Sequence, residues 1–388
     1  MMRVLLINPW AVNNDGYYTS GFVSGMNKWV CLDFVTNYYY IGEAPNGMLI
    51  NRFFKISENM KRSIARKAIR GIEYITTWVK LLHLAKRQRY DVIHIHWLLM
   101  YGVDSFFLKR LKKNCNNMVL TAHNVLPHIN GQASIQKLRN VYCNFDHILV
   151  HGESIKEEFG HVFPNELNKV AVQYHGEYYK QNTVFEYKQT PDYEVVKKAI
   201  DSRRKIFITF GNQFYNKGTD RLAEIWLESF AEADSLLIII GDIDEGFVEL
   251  KSIIPKICNT ENLILIDHYI DEALLNFYVS NSDCIVLPYR HASMSGVVFT
   301  AASFSKPVIC TRSGALTEYL ENGIDSFICE NNIDALREKL FYIDSLNRNV
   351  LSAMGKKLSE NVKYKYSWDT IARQLMEDIY SEEKRAEK

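Results

Sequence analysis

The sequence has 388 residues, 47% of them hydrophobic and 23% charged, with seven scattered cysteines and no C-x-x-C spacing. That composition suits two globular domains with cores of their own and excludes a disulfide scaffold or a cysteine-based metal module. A net charge of +1 conceals an asymmetry: residues 1–175 hold 21 lysines and arginines against 12 acids, the remainder 25 against 33, and residues 52–89 alone hold 11 against Glu58 and Glu73.

Short apolar runs alternate with amphipathic stretches, the pattern of βα units around a parallel sheet. Strands are predicted at Arg3–Asn8, Asp91–His96, Met118–His123, His147–His151 and Lys169–Gln173. Before the second of these, Ile64, Ala68, Ile72, Ile75, Val79 and Leu82 recur at helical spacing. They predict a helix packed on its own sheet, with Arg62, Arg66, Glu73 and Lys80 on the opposite side. Polar residues 178–198, interrupted by Pro191, read as an interdomain linker, placed at 181–200. The alternation then restarts, with strands at Lys205–Gly211, Leu236–Gly241, Leu263–Asp267, Cys284–Pro288, Pro307–Thr311 and Ser326–Cys329. Helices are predicted at 218–232, 246–257, 271–280, 296–304, 315–322 and 333–345. Ser367 N-caps a closing helix with Trp368, Ile371, Leu375 and Ile379 on its apolar face.

The fold expected is α/β, two doubly wound Rossmann-like domains facing a cleft, with ligands at the carboxyl ends of the strands. Residues 1–180, rejoined by 366–388, form the first domain and 201–365 the second. No run approaches the ~18 apolar residues of a membrane span, and no basic, then apolar leader opens the sequence, so a cytoplasmic protein is expected.

Two stretches carry chemistry. An apolar strand runs into Gly211, a polar loop follows, and Lys217-Gly218 opens a helix. A lysine there can reach a phosphate, and free backbone amides favour an anion. A solvated loop lysine is the competing reading. The spacing is not that of a P-loop. Farther on, a strand ends at Pro288, a loop holds Arg290 and His291, and Ser295-Gly296 begins a small-residue helix. Such a helix start can seat a diphosphate, with Arg290 adding a contact; Ser295 as a plain N-cap is the alternative. His94 and His96 share one strand face, but no third and fourth ligand stand at metal spacing, so no metal is expected. His128, His151 and His175 are candidates for the cleft wall, with a structural role weighed more heavily. Neither G-x-G-x-x-G nor a nucleic-acid motif is present, which disfavours a dehydrogenase and a nucleic-acid partner.

Gly211…Lys217-Gly218, Pro288-Tyr-Arg with Ser295-Gly296, Lys306-Pro-Val-Ile309, Gly314-Ala-Leu-Thr-Glu318 and the Tyr366-Ser-Trp-Asp helix together resemble the GT-B glycosyltransferases of family 4. Val92-Ile-His-Ile-His-Trp97, Thr121-Ala-His-Asn-Val-Leu-Pro-His128 and Tyr174-His-Gly176 are similar to a subgroup of bacterial polysaccharide assembly. The resemblance implies sugar transfer from a nucleotide sugar to a glycan or polyprenyl-linked acceptor, retention of configuration, and no cofactor or metal. It places Lys217 on the donor diphosphate, Ser295 and Gly296 at the distal phosphate, and His123 near the donor sugar. It sets Gly211, Asn212, Thr300 and Glu318 in the donor site, and Gly16 and Gly21 in a loop after the first strand.

Two departures stand out. Asn212 replaces an arginine usual in the family, a cation that Arg290 is expected to supply. Ala292 and Thr300 replace two glutamates. A sugar-nucleotide epimerase of the same fold and a non-catalytic partner of another transferase are the rival readings. The basic segment 52–89 is expected to hold the first domain on an anionic membrane.

Overall fold

The computed structural model describes residues 1–127, 131–177, 191–202, 204–292 and 294–381. His128 and most of the predicted linker lie outside the described residues. The chain divides into two units, Met1–Tyr179 with Tyr366–Lys388, and Lys180–Lys365.

The first unit runs β1 (Arg3–Asn8), α1 (Asn13–Met26), β2 (Cys31–Asn37), β3 (Leu49–Phe53), α2 (Ile64–Gln88), β4 (Tyr90–Ile95), α3 (Tyr101–Leu111), β5 (Cys115–Thr121), α4 (Gly131–Tyr142), β6 (His147–Val150), α5 (Glu153–Val162) and β7 (Val170–Val172). Its seven strands form one parallel sheet ordered β3-β2-β1-β4-β5-β6-β7. The order reverses at β1 and β4, which opens a crevice at their carboxyl ends.

The second unit runs α6 (Pro191–Asp201), β8 (Ile206–Phe210), α7 (Thr219–Ser229), β9 (Leu236–Ile240), α8 (Val248–Ile257), β10 (Leu263–Ile266), α9 (Glu272–Asn281), β11 (Cys284–Leu287), α10 (Val297–Ser303), β12 (Val308–Thr311), β13 (Ser326–Cys329), α11 (Ile333–Ser345) and α12 (Arg348–Tyr366). Its six parallel strands are ordered β10-β9-β8-β11-β12-β13, with the reversal at β8 and β11. Strands covered on both faces read as unbroken apolar runs; Leu236-Leu-Ile-Ile-Ile240 is buried throughout.

The chain then returns to the first unit as α13 (Trp368–Leu375), capped by the Ser367 side chain on the Thr370 amide. Trp368 lies against α1. A Cβ on Gly21 would come 1.9 Å from its indole nitrogen, and one on Gly25 would come 2.5 Å from its carbonyl oxygen. Gly21 therefore admits the tryptophan. Both Gly16 and Gly21 lie within α1, not in a loop after β1, which corrects the sequence expectation.

Other expectations change too. β2 and β3 were not predicted. β2 carries a buried Asp33, satisfied by the Tyr90 hydroxyl at 2.7 Å and the Met48 amide at 2.8 Å, and β3 is a half-exposed edge. Pro191 opens α6 rather than breaking a linker, since a first-turn residue has no intrahelical use for its N–H. The helix predicted at 315–322 is a 3₁₀ segment, Gly314–Tyr319, and α12 was not predicted. The largest change is in α2. Its buried residues are Tyr74, Thr77, Trp78, Leu81 and Ala85, whereas Ile64, Ile72, Ile75 and Val79 face solvent.

Candidate active site

In the second unit, two loops at the carboxyl ends of β8 and β11 clasp each other. The first begins at Gly211, whose φ of 104° suits a residue without a side chain. Gln213, buried, locks it: its Nε2 donates to the Gly211 carbonyl at 2.6 Å and the Ile240 carbonyl at 3.0 Å, and its Oε1 accepts from Thr219. A 3₁₀ turn, Tyr215–Lys217, then leads to Gly218 at φ 66°. A Cβ there would come 2.0 Å from the Pro288 carbonyl oxygen, so glycine is required by both conformation and approach.

The second loop is held by backbone. The Arg290 amide donates to the Asn216 carbonyl at 2.8 Å, and the Asn216 side chain donates to the His291 carbonyl at 3.2 Å. Asn331 donates to the Arg290 carbonyl at 2.9 Å.

Lys217 and Arg290 have different roles in this clasp. The Lys217 ammonium lies 4.0 Å from the centroid of the buried Tyr289 ring, and among the described residues it has no carboxylate partner. It is an unneutralised cation held on an aromatic face. The Arg290 guanidinium instead forms two hydrogen bonds with Asp220, at 2.7 and 2.6 Å, donates to the Tyr215 carbonyl at 2.7 Å, and covers the Tyr215 ring at 4.1 Å. Burial lowers its pKa, but the Asp220 contact and charge outweigh that and raise it. Arg290 is thus a strap between the loops, its charge balanced by Asp220.

Asn212 is exposed beside Gly211. Ser295 is buried with its hydroxyl 3.1 Å from that of Tyr289, and Gly296 immediately precedes α10. Thr300 bonds back to the Gly296 carbonyl at 3.4 Å, Ala292 is buried, and Glu318 is half-buried in the 3₁₀ segment before β13.

In the first unit, the carboxyl edge of the sheet gathers four histidines around Tyr18, with a fifth, His94, behind them. The Tyr18 ring lies 5.4, 5.0, 5.8 and 4.6 Å from those of His96, His123, His151 and His175. His94 sits between the Tyr380 hydroxyl at 2.6 Å and Thr121 Oγ1 at 2.8 Å. Burial holds all five neutral: His94 and His175 fall to about 3 and His151 to about 4, while His96 and His123 fall well below the usual range. Among the described residues no three of His, Cys, Asp or Glu are placed to hold a metal ion.

The hydrogen bonds of the neutral rings fix which nitrogens carry protons. His151 Nδ1 stands 2.9 Å from the Gln173 carbonyl, which only accepts, so that nitrogen bears the hydrogen. His151 Nε2 is then an acceptor, and His123 Nδ1, 3.3 Å away, donates to it. His123 Nε2 is left as a lone pair, buried and, among the described residues, without a partner.

The His123 ring also stacks on Trp97 at 4.8 Å and 7°. The Trp97 indole N–H donates at 2.7 Å to Asp15, whose carboxyl burial pushes up to about 6. Asp15, Trp97 and the role of His151 as acceptor from His123 were not singled out from the sequence. An acid in the first turn after β1, next to Gly16, was the available signal for Asp15.

With the geometry in place, comparisons add a class. Residues 204–343, which span both clasped loops, match the family model "Glycosyl transferases group 1". N-acetyl-alpha-D-glucosaminyl L-malate synthase of Bacillus anthracis is 22% identical over 312 residues, covering 78% of this chain and 77% of its own. Among solved structures, sucrose-phosphate synthase of Thermosynechococcus elongatus superposes with a TM-score of 0.69 at 14% identity, covering 97% of this chain and 98% of that one. Anabaena HepE in complex with UDP and glucose does so with a TM-score of 0.69 at 14% identity, covering 98% and 100%. The fold is that of the GT-B glycosyltransferases, two parallel-sheet Rossmann-like domains, and the family match and the relative support a glycosyltransferase.

Proposed function

We propose that this protein transfers a sugar from a nucleoside-diphosphate sugar to a glycan or polyprenyl-linked acceptor in surface polysaccharide assembly. The observation that carries the donor half is Lys217, an unpaired ammonium seated on Tyr289 where β8 turns into α7. Charge that develops on a leaving diphosphate is stabilised by a cation already in place, aided by loop amides. The HepE complex contains UDP and glucose, which favours the same class of donor here. Lys217 and the amides around Ser295 and Gly296 take the place of a divalent metal in this reading, and retention of configuration follows from the family resemblance. Arg290 keeps the loop pair closed. His123 orients a sugar or acceptor hydroxyl, accepting its hydrogen on Nε2.

The acceptor side rests on charge. Lys61, Arg62, Lys67, Lys80, Lys86 and Arg87 are all exposed, and no helix of the described residues is long and apolar enough to cross a membrane. Peripheral association with the cytoplasmic face of an anionic membrane would bring a lipid-linked acceptor to the first unit. A thermal-shift screen against nucleosides, nucleoside diphosphates and nucleotide sugars tests the donor. Stabilisation by diphosphates but not by nucleosides is expected; equal stabilisation by both would remove the role of Lys217.

A further inference from the structure

α2 turns an apolar face to solvent. Tyr74, Trp78, Leu81 and Ala85 face the sheet, each at most 2% exposed. Ile64, Ile72, Ile75 and Val79 lie along a second stripe, about a third of a turn away, exposed by 88, 62, 40 and 43%. Their spacing places them on one line down a helix of 25 residues. A single exposed isoleucine is unremarkable, but a row of large aliphatic side chains on one helix marks an interaction surface.

The charges around the row have one sign. Lys61, Arg62, Lys67 and Lys80 are exposed beside it. The two acids of the segment turn inward: Glu58 pairs with Arg70 at 3.0 Å, and Glu73 accepts from the Ile56 and Ser57 amides at 2.7 and 3.1 Å. Arg66, expected to face outward, donates to the Ser57 carbonyl at 2.8 Å.

We propose that α2 lies in the plane of an anionic membrane, with Ile64, Ile72, Ile75 and Val79 among the acyl chains and the flanking cations on headgroup phosphates. This deepens the membrane part of the proposed function, from electrostatic contact to partial insertion. A second copy of the chain would set like charges face to face, whereas anionic lipid neutralises them.

The position of α2 suits that occupant. A helix that connects parallel strands runs back against them, so the amino-terminal half of α2 lies at the carboxyl edge of the sheet. There the Leu99 amide donates to the Tyr74 hydroxyl at 3.1 Å, and Arg70 covers the Trp10 ring at 5.2 Å. His123 follows β5 at this same edge, so a lipid-borne acceptor would be presented to the edge that carries it.

The test is co-sedimentation of the full chain with vesicles of phosphatidylglycerol and phosphatidylcholine, in low and high salt. Binding is expected to weaken in high salt but to persist, because insertion is not screened. Ile72→Ser with Ile75→Ser should lower vesicle affinity at least about tenfold in either salt. Lys67→Glu with Lys80→Glu should abolish mainly the salt-sensitive part. All four side chains are exposed, so melting temperatures should match the wild type. Wild-type vesicle binding by the double serine variant, complete loss of binding in high salt, no binding at all, or a solution dimer that the serine variant dissociates would each overturn the proposal. Loss of sugar transfer with vesicle binding intact would count against the proposed reaction and leave this docking untouched.

Discussion

Arg290 grips Asp220 through two hydrogen bonds of 2.7 and 2.6 Å, and this pair ties the β11 loop to the first turn of α7. Both side chains are largely removed from solvent, at 21% and 5% exposed. Removing either partner leaves the other charge poorly solvated. Arg290→Ala and Asp220→Asn should each destabilise the protein by about 2 kcal/mol. The double variant should cost far less than the sum, because the two residues act as one unit. Additive losses in a denaturant cycle would show that the pair is incidental.

Lys217→Ala should behave in the opposite way. The ammonium has no carboxylate to abandon, so the melting temperature should hold, while turnover falls by roughly 2–4 kcal/mol of transition-state stabilisation. Near wild-type turnover in the folded variant would move the diphosphate elsewhere.

His151→Ala removes the acceptor that fixes the hydrogen of His123 on Nδ1. Turnover should drop at least about tenfold, with nucleoside diphosphate affinity in the second unit unchanged. His123→Ala should lower turnover further. A change confined to melting temperature, with normal activity per folded molecule, would make the pair structural.

The buried histidines set an acid limit. His94, His175 and His151 titrate at about 3, 3 and 4 in the folded chain, against 6.5 when unfolded. The unfolded state therefore binds more protons below 6.5, and stability is lost as pH falls from there toward 3. Asp15 and Asp104, each raised by burial from 3.8 to about 6, work the other way: their folded forms take the proton first, so stability declines as pH rises from about 4 to 6. The five buried histidines, His96 and His123 among them, outweigh the two carboxyls, and the melting temperature should fall between pH 6.5 and 4. A flat profile would place these rings in contact with water.

Much of this was legible in the sequence, for physical reasons that differ by element. The strands of the second unit are buried on both faces and stand out as apolar runs bounded by glycine or polar residues. β2 was hidden because Asp33 interrupts its run and is satisfied only by partners distant in sequence. Helical spacing found α2 but assigned the wrong side inward. Tyr74, Trp78 and Leu81 fill the interior with aromatic bulk, while the isoleucines that carry the periodicity face out. Lys217 was visible as a lysine after a strand. The neutralisation of Arg290 by Asp220, 70 residues away, was not. The histidines were visible one by one, but their convergence on Tyr18 is a product of the sheet order.

Gly21 separates packing from phosphate binding in α1. Gly21→Ala should cost about 1–3 kcal/mol by forcing Trp368 aside. Gly16→Ala should be tolerated, since the nearest atom to its Cβ would be 3.8 Å away. Loss of nucleotide binding in a stable Gly21→Ala protein would restore the loop reading.

Acceptor-dependent transfer from a nucleoside-diphosphate sugar is measured directly by the release of nucleoside diphosphate. Purified protein should be given a panel of nucleotide sugars, with and without a polyprenyl-linked glycan fraction, and both the nucleotide and the sugar product followed. Release of nucleoside diphosphate that requires acceptor, adds one sugar to it, and disappears with Lys217→Ala is the expected result. Isomerisation of the nucleotide sugar without acceptor, or nucleotide binding with no turnover across the panel, would contradict the account.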